Sequence, residues 1–412
     1  MMSIHLKMRI ERSVIENMLP IISASTIGSV IQWFDFYLYS FLAVTIFPTV
    51  FFPTLSPFAG TLISFVIGFI GFAARPCGAA FFGWFGDRVG RQSTLVATLL
   101  LMGSATIVMG ILPGYATWGI ASPILLILLR LMQGIGVGGE WGGATLLALE
   151  NSDEHNRGFW TSWPQAGVPI GLASAIIATL LCQVLYPGEA YQSVGWRVPF
   201  FLSPMLLIAG FYIRLHIPET PLFAQIKARK QEAKAPLRDV CRYFWREVIL
   251  CTLLRFGDQA PFYLFTTFSL SYSVEVLHLP AELIYIGLII ASLIEVPLMP
   301  LIGIVSDHIG RKRCYLLGCA GMAGMAFPYF WLLNTRNPWL VLLAIILSFD
   351  IGHVCLFAPQ AALIAEQFST KVRYTGASLG FQLSSVIAGG PAPIVATYLM
   401  TTQAKLLPGP PA

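Results

Sequence analysis

The chain has 412 residues, 56% of them hydrophobic and only 11% charged, with a mean hydropathy of +0.73. A soluble globular chain carries about 25% charged residues, so the composition excludes an ordinary soluble domain and points to a bilayer as the solvent. The formal net charge of +5 is a matter of membrane topology and gives no reason to expect nucleic-acid binding.

Apolar runs recur along the whole chain, each near or above the roughly 20 residues a helix needs to cross about 30 Å of hydrocarbon. The first, 19–44, ends in aromatics and lacks a small-residue cleavage site, so it reads as a retained helix and not a signal peptide. It places Gln32, Asp35 and Tyr39 on one helical face. The second, 58–83, carries Arg75, expected to brace the loop that follows, Gly83-x-x-x-Asp87-Arg88-x-Gly90-Arg91-Gln92. The third spans 93–113. The fourth, 120–149, holds Arg130, Gln133 and Glu140, with glycines from Gly134 to Gly143 that would let a neighbouring helix approach closely. Glu150 ends it, and Arg157 follows seven residues later. The fifth, 158–185, carries Trp163 and Gln165, and the sixth spans 196–216.

A basic stretch at 217–246 precedes the seventh run, 247–273, where Arg255, Asp258, Gln259 and Phe262 share a face. The eighth, 281–305, contains Glu295 and leads into Gly303-x-x-x-Asp307-His308-x-Gly310-Arg311-Lys312. The ninth is 314–333. The tenth, 338–365, carries Asp350 and His353, which could relay protons, although a histidine bonded within its own helix is the favoured reading. Glu366 and Arg373 then repeat the seven-residue spacing of Glu150 and Arg157. The eleventh is 374–400. Prolines inside these runs, among them Pro164, Pro169, Pro261, Pro297, Pro391 and Pro393, permit bends.

Basic residues alternate between loops. One set holds Lys7, Arg9, Arg12, Arg88, Arg91, Arg157, Arg214, the cluster from Lys227 to Arg246, Arg311 to Arg313, Lys371 and Arg373; the other holds only Arg197, Arg336 and Lys405. The positive-inside rule therefore puts the N-terminus and the 217–246 loop in the cytoplasm. The paired Asp-Gly-Arg loops and paired Glu–Arg spacings mark an internal duplication. Residues 1–216 form one six-helix half, 217–246 a basic linker, and 247–412 a second half with five helices. In the loops, glycine allows a tight path. Asp87 and Asp307 can accept from amides at a neighbouring helix start, while Arg91 and Arg311 can pair with acids such as Glu150 and Glu366. The seven cysteines show neither metal-ligand nor redox spacing and read as packing residues.

At these residues the chain resembles the major facilitator superfamily, whose signature loop after helix two is matched by Gly83 to Gln92. The segments Arg130 to Ala144, Trp196 to Phe201, Pro218 to Pro221, Ala358 to Ala362 and Arg373 to Ser378 are similar to the metabolite:proton symporter family within it. That resemblance implies an all-α polytopic fold of two pseudo-symmetric halves in a bacterial inner membrane, moving shikimate, citrate, 2-oxoglutarate, proline or betaine with protons. It also implies that helices 1, 4, 7 and 10 line the cavity. Where the family has Glu-Trp-Tyr-Asp-Phe in helix one, this chain has Gln32-Trp33-Phe34-Asp35-Phe36, removing one carboxylate that could take a proton. The family fold has twelve helices, yet the twelve residues after Met400 include three prolines and cannot span. The twelfth, an outer scaffold helix, is thus expected to be missing, through truncation or as a natural variant.

Ionisable groups inside spanning helices are costly and mark function by default. Arg130 or Arg255 would bind a substrate carboxylate through its guanidinium fork, and Asp35, Glu140 or Asp258 would carry the proton. Asp87, Arg88, Arg91, Glu150 and Arg157, with Asp307, Arg311, Glu366 and Arg373, would form a gating charge cluster. Fixed ion pairs are the competing reading, either Arg255 with Asp258 or Asp35 with Arg130. The expectation is a monomeric secondary transporter of a small organic acid or zwitterion, with protons as coupling ion and neither cofactor nor metal. Gln32 keeps open an uncoupled facilitator or exchanger, and the chain's end a non-transporting remnant or membrane sensor. The sequence contains no His-Glu-x-x-His, Gly-x-Ser-x-Gly or phosphate-binding loop, so an intramembrane enzyme is not expected.

Overall fold

The computed structural model describes residues 4–392, 395, 396 and 399. Pro393, Lys405 and the segment after Met400 lie outside the described residues. The described chain is helical throughout, without strands, as a bilayer requires when no water can satisfy exposed backbone groups. Its long helices are α1 (Ile4–Thr45), α2 (Pro57–Arg88), α3 (Arg91–Ile111), α4 (Ala121–Glu150), α5 (Arg157–Leu185) and α6 (Ser203–His216). After two short helices, Pro221–Ala228 and Pro236–Tyr243, come α7 (Trp245–Tyr263), α8 (Ala281–Ile309), α9 (Arg311–Asn334), α10 (Pro338–Leu347, resuming at Val354–Ala365) and α11 (Arg373–Ser384).

Among the described residues nine helices are long and apolar enough to cross a membrane. The two that fall short are α7, diluted by Glu247, Arg255 and Asp258, and α11, whose regular α-helix has 12 described residues. Wider π turns extend or interrupt the later helices, at Leu264–Phe268, Tyr272–Val276, Ser348–His353 and Ser385–Gly389. Two helix starts are capped by the residue that precedes them: Ser56 accepts from the Ala59 amide at 3.3 Å, and Asn337 from the Trp339 amide at 3.0 Å.

The glycine run of α4 acts as the small-residue rule requires. A Cβ at Gly138 would meet the Ala79 amide of α2 at 2.7 Å, and one at Gly134 would lie 2.9 Å from Ala74, so α2 and α4 touch backbone to backbone. The helices before 217 and those after 246 meet along two similar seams. On one, α5 crosses α8, where a Cβ on Gly303 would sit 2.6 Å from the Gly158 carbonyl; on the other, α2 crosses α11, where one on Gly83 would sit 2.7 Å from Cα of Thr375. The repeated loops turn at Gly90 (φ +147) and Gly310 (φ +94), conformations that side chains rarely adopt.

Overpacking these seams should be destabilising. Gly138→Ala is expected to cost at least about 1–3 kcal/mol and to lower the thermal unfolding midpoint of the purified protein. Gly324, with nothing within 4 Å of a built Cβ, should accept alanine with no loss.

Candidate functional site

Two polar clusters occupy the helix interior, with an aromatic partition between them. In the first, Asp35 Oδ2 accepts from Thr106 Oγ1 at 2.5 Å and Oδ1 from Ser203 Oγ at 2.7 Å. Arg130 Nη1 donates to Gln133 Oε1 at 2.7 Å, and Gln133 Nε2 donates to Thr106 Oγ1 at 2.6 Å. A continuous chain of hydrogen bonds thus joins the arginine of α4 to the aspartate of α1. The Arg130 guanidinium lies 3.8 Å over the Tyr39 ring, whose hydroxyl donates to the Ser64 carbonyl at 2.9 Å. Gln32, Asp35, Arg75, Arg130 and Gln133 line a cavity of about 20 Å³, room for a single water.

The second cluster is built on α7 and α10. Arg255 is ion-paired to Asp258, and its Nη1 also donates to Gln360 Oε1 at 2.8 Å. The guanidinium lies 4.1 Å over Phe381 and 5.0 Å over Phe357. Gln259 Nε2 donates to Ser385 Oγ at 3.1 Å. His353 of α10 contacts Glu295 of α8 at 2.6 Å and Asp258 at 3.3 Å. A cavity of about 10 Å³ adjoins Arg255, Asp258, Gln259, His353 and Trp33.

Aromatic rings close the space between the clusters. Phe36 and Phe72 pack edge-on against Tyr263 at 5.9 and 5.8 Å, and Trp141 of α4 stacks on Phe381 of α11 at 3.7 Å. Gln165 bridges the same divide: it accepts from Trp141 Nε1 at 2.9 Å and donates to the Phe357 carbonyl at 3.2 Å. Neither small cavity is large enough to admit a small organic solute. A larger crevice of about 910 Å³ opens elsewhere, between α1, α5 and α8; its walls include Leu19, Ile22, Trp160 and Trp163, and it is separate from both polar clusters.

Beneath the clusters, on the face of the basic loops, each repeated aspartate caps a helix from the opposite set. Asp87 accepts from the Tyr374 amide at 3.2 Å, the Thr375 amide at 2.9 Å and the Thr375 hydroxyl at 2.8 Å, at the start of α11. Asp307 accepts from the Gly158 and Phe159 amides at 2.8 and 2.9 Å, at the start of α5. Arg91, fully buried, reaches Glu150 at 3.3 Å, donates to the Gly86 carbonyl at 2.8 Å and the Thr370 carbonyl at 3.0 Å, and stacks 4.4 Å over Phe223. Its counterpart Arg311 reaches Glu366 at 3.0 Å. Cross-pairs complete the ring: Arg373 with Glu150 at 3.6 Å, Arg157 with Glu366 at 3.7 Å. Arg88 is exposed and lies over Trp84 instead. Burial pushes the Glu366 carboxyl above its ordinary range, against the pull of Arg311, Arg157 and Arg373.

Four placements differ from the sequence reading. Glu140 does not face the small cavities; it is held by Arg214 of α6 and by Thr98 at 2.8 Å, and Arg214 is a buried partner, not a loop anchor. Arg75 lies over Phe72 at 4.1 Å and lines the first cavity, because thirteen residues of helix put it about 20 Å above Arg88. Asp35 pairs with hydroxyls and not directly with Arg130. Thr106 and Ser203 went unnoticed in the sequence, since hydroxyl residues bond their own helix backbone wherever they lie and leave no periodic signal.

A sequence model of the Major Facilitator Superfamily matches residues 26–393. The chain is 41% identical over 386 residues to the inner membrane metabolite transport protein YhjE of Escherichia coli K12, covering 92% of this chain and 88% of that protein. It is 36% identical to the shikimate transporter of the same organism (91% and 86% covered) and 31% identical to the proline/betaine transporter of Salmonella typhimurium LT2 (94% and 79%). Among solved structures, the proton:xylose symporter XylE bound to 6-bromo-6-deoxy-D-glucose superposes with a TM-score of 0.77 over 95% of this chain and 90% of that one, at 16% identity; that likeness establishes the fold.

The capping aspartates should hold this face shut. Asp87→Asn or Asp307→Asn is expected to weaken the closure by about 1.5–3 kcal/mol, roughly ten- to a hundredfold in the closed-to-open ratio. Maleimide labelling of a cysteine placed at buried Ser378, in a cysteine-free background, should accelerate by at least about tenfold; unchanged rates in both variants would contradict the latch.

Proposed function

The chain belongs to the Major Facilitator Superfamily and is a transporter of metabolites in the bacterial inner membrane, and we propose that it is a proton-coupled symporter of a small organic acid or zwitterion. In this reading residues 1–216 and 247–412 rock against each other about the linker at 217–246, with the N-terminus and basic loops in the cytoplasm, each chain acting as a monomer. The observation that carries the proposal is the placement of two buried arginines on either side of one aromatic partition, Arg130 joined to Asp35 through Gln133 and Thr106, and Arg255 paired directly with Asp258. Such charges at membrane depth are tolerated where they meet each other or a polar solute.

Arg130 and Arg255 each sit beside a small cavity with part of the guanidinium fork committed to a glutamine. Opening the partition would let a carboxylate replace those glutamine contacts, exchanging neutral acceptors for a charged one and strengthening both hydrogen bonds. Asp35, Asp258 and their neighbours then supply proton acceptors within the same chamber. Gln32, lining the first cavity beside Asp35, favours one second reading: a facilitator or exchanger that moves the solute without protons.

Uptake of labelled shikimate, 2-oxoglutarate, citrate and betaine into cells producing the chain, with and without an uncoupler, separates these readings. Uncoupler-sensitive accumulation of one solute is the expected result; uptake indifferent to the uncoupler would establish the facilitator. Arg130→Lys and Arg255→Lys, which keep the charge and lose the fork, are each expected to cut uptake about ten- to a hundredfold at unchanged membrane abundance.

A further inference from the structure

His353 stands apart from the carboxylate–arginine pairs because both of its ring nitrogens face acids on other helices. Nδ1 lies 2.6 Å from Glu295 Oε1 of α8 in hydrogen-bond geometry, and Nε2 lies 3.3 Å from Asp258 Oδ1 of α7. A neutral imidazole has one N–H. It can satisfy one of these contacts, but its remaining lone pair would then face a carboxylate oxygen across the other. The arrangement therefore calls for one proton beyond the neutral complement, either on the imidazole or on a facing acid. The ring lies between Phe262 at 4.6 Å and Phe357 at 5.0 Å, the latter stacked at 20°, and such faces stabilise a cation.

Charge balance points the same way. Arg255 and Asp258 of α7, Glu295 of α8 and, on the histidine's own helix, Asp350 surround the ring; Tyr37 of α1 lies toward Glu295 and Tyr315 of α9 toward Asp258. With all three acids ionised, Arg255 alone leaves an excess of two negative charges, and a proton on His353 halves it. His353 also ends the π turn Ser348–His353, a distortion frequent at functional sites. Its hydrogen bond to another helix departs from the expectation of a bond within its own.

We propose that His353, held between Glu295 and Asp258, is the proton-binding site of this chain, and that Asp258 links the bound proton to Arg255. The inference rests on the coupled-transport reading for its role and stands on geometry for its place. When the proton is bound, the imidazolium shares the charge of Asp258, and Arg255 is freed to take a substrate carboxylate. When the proton leaves Nε2 for water admitted as the partition opens, the N–H bond breaks with its electron pair kept on nitrogen. Asp258 then turns wholly to Arg255, which competes with the substrate for the guanidinium. Proton and anion thus bind together, the sign that symport demands.

Solid-state nuclear magnetic resonance of the full chain, nitrogen-15-labelled at histidine and held in lipid, tests the site without any substrate. The His353 signals, assigned by their loss in His353→Gln, should show both ring nitrogens protonated at a pH about 1.5 units above the roughly 6.5 at which an ordinary imidazole titrates. Glu295→Gln should return the ring to the single N–H form at that pH. A His353 with one N–H throughout the range in the unaltered chain, or an imidazolium unchanged by Glu295→Gln, overturns the proposal. If instead the chain accumulates none of the labelled solutes against the uncoupler control while the doubly protonated ring is present, the transport reading fails and the proton site remains.

Discussion

Everything on the basic face depends on two aspartates that satisfy helix ends not their own. The first amides of a helix have no partner within it, and at α11 and α5 these donors point into a buried interface. Asp87 and Asp307 answer them with charge-assisted bonds, each from the last turn of a helix in the opposite set. The caps therefore work only while the two sets are together. Separation strands both the amides and the carboxylates, unless water or a new partner takes over. That makes the contact two-state and not gradually deformable, the property a gate needs.

Above this closure the interior is neutralised piecewise. Asp35 is held by two hydroxyls, Arg130 by a glutamine and an aromatic face, Arg255 by an aspartate and a second glutamine. The hydroxyl, glutamine and aromatic partners are weaker than a dedicated buried ion pair such as Glu140 with Arg214, which lies away from both cavities, and Arg255 divides its donors between Asp258 and Gln360. The contrast separates roles. The tightly matched pair ties α4 to α6 as scaffold, whereas the incompletely matched groups face the aromatic partition where a solute would enter.

Much of the architecture was legible in the sequence because the bilayer simplifies the code. Apolar run length and alternating basic loops set the helices, and the duplicated Gly83–Gln92 and Gly303–Lys312 segments marked the positions where Gly90 and Gly310 take positive φ. The faces shared by Gln32, Asp35 and Tyr39, and by Arg255 and Asp258, followed from helical spacing alone. Partners across helices were not legible. Thr106 lies 71 residues from Asp35, and Glu295 lies 58 from His353, and no local pattern distinguishes those side chains from others on the same helices. Arg75 and Arg214 are hard to separate from loop anchors in sequence, because a buried arginine and an anchoring one look alike until the depth of the residue is counted along the helix.

The two caps are expected to open as one. Hydrogen–deuterium exchange of the amides at Tyr374 and Thr375 and at Gly158 and Phe159 reads each cap separately, in the unaltered chain and in Asp87→Asn. A single two-state closure requires that the change at Asp87 deprotect the start of α11 and, equally, the start of α5, which Asp87 does not touch. Loss of protection confined to Tyr374 and Thr375, with Gly158 and Phe159 exchanging as before, would show two independent contacts and contradict the account.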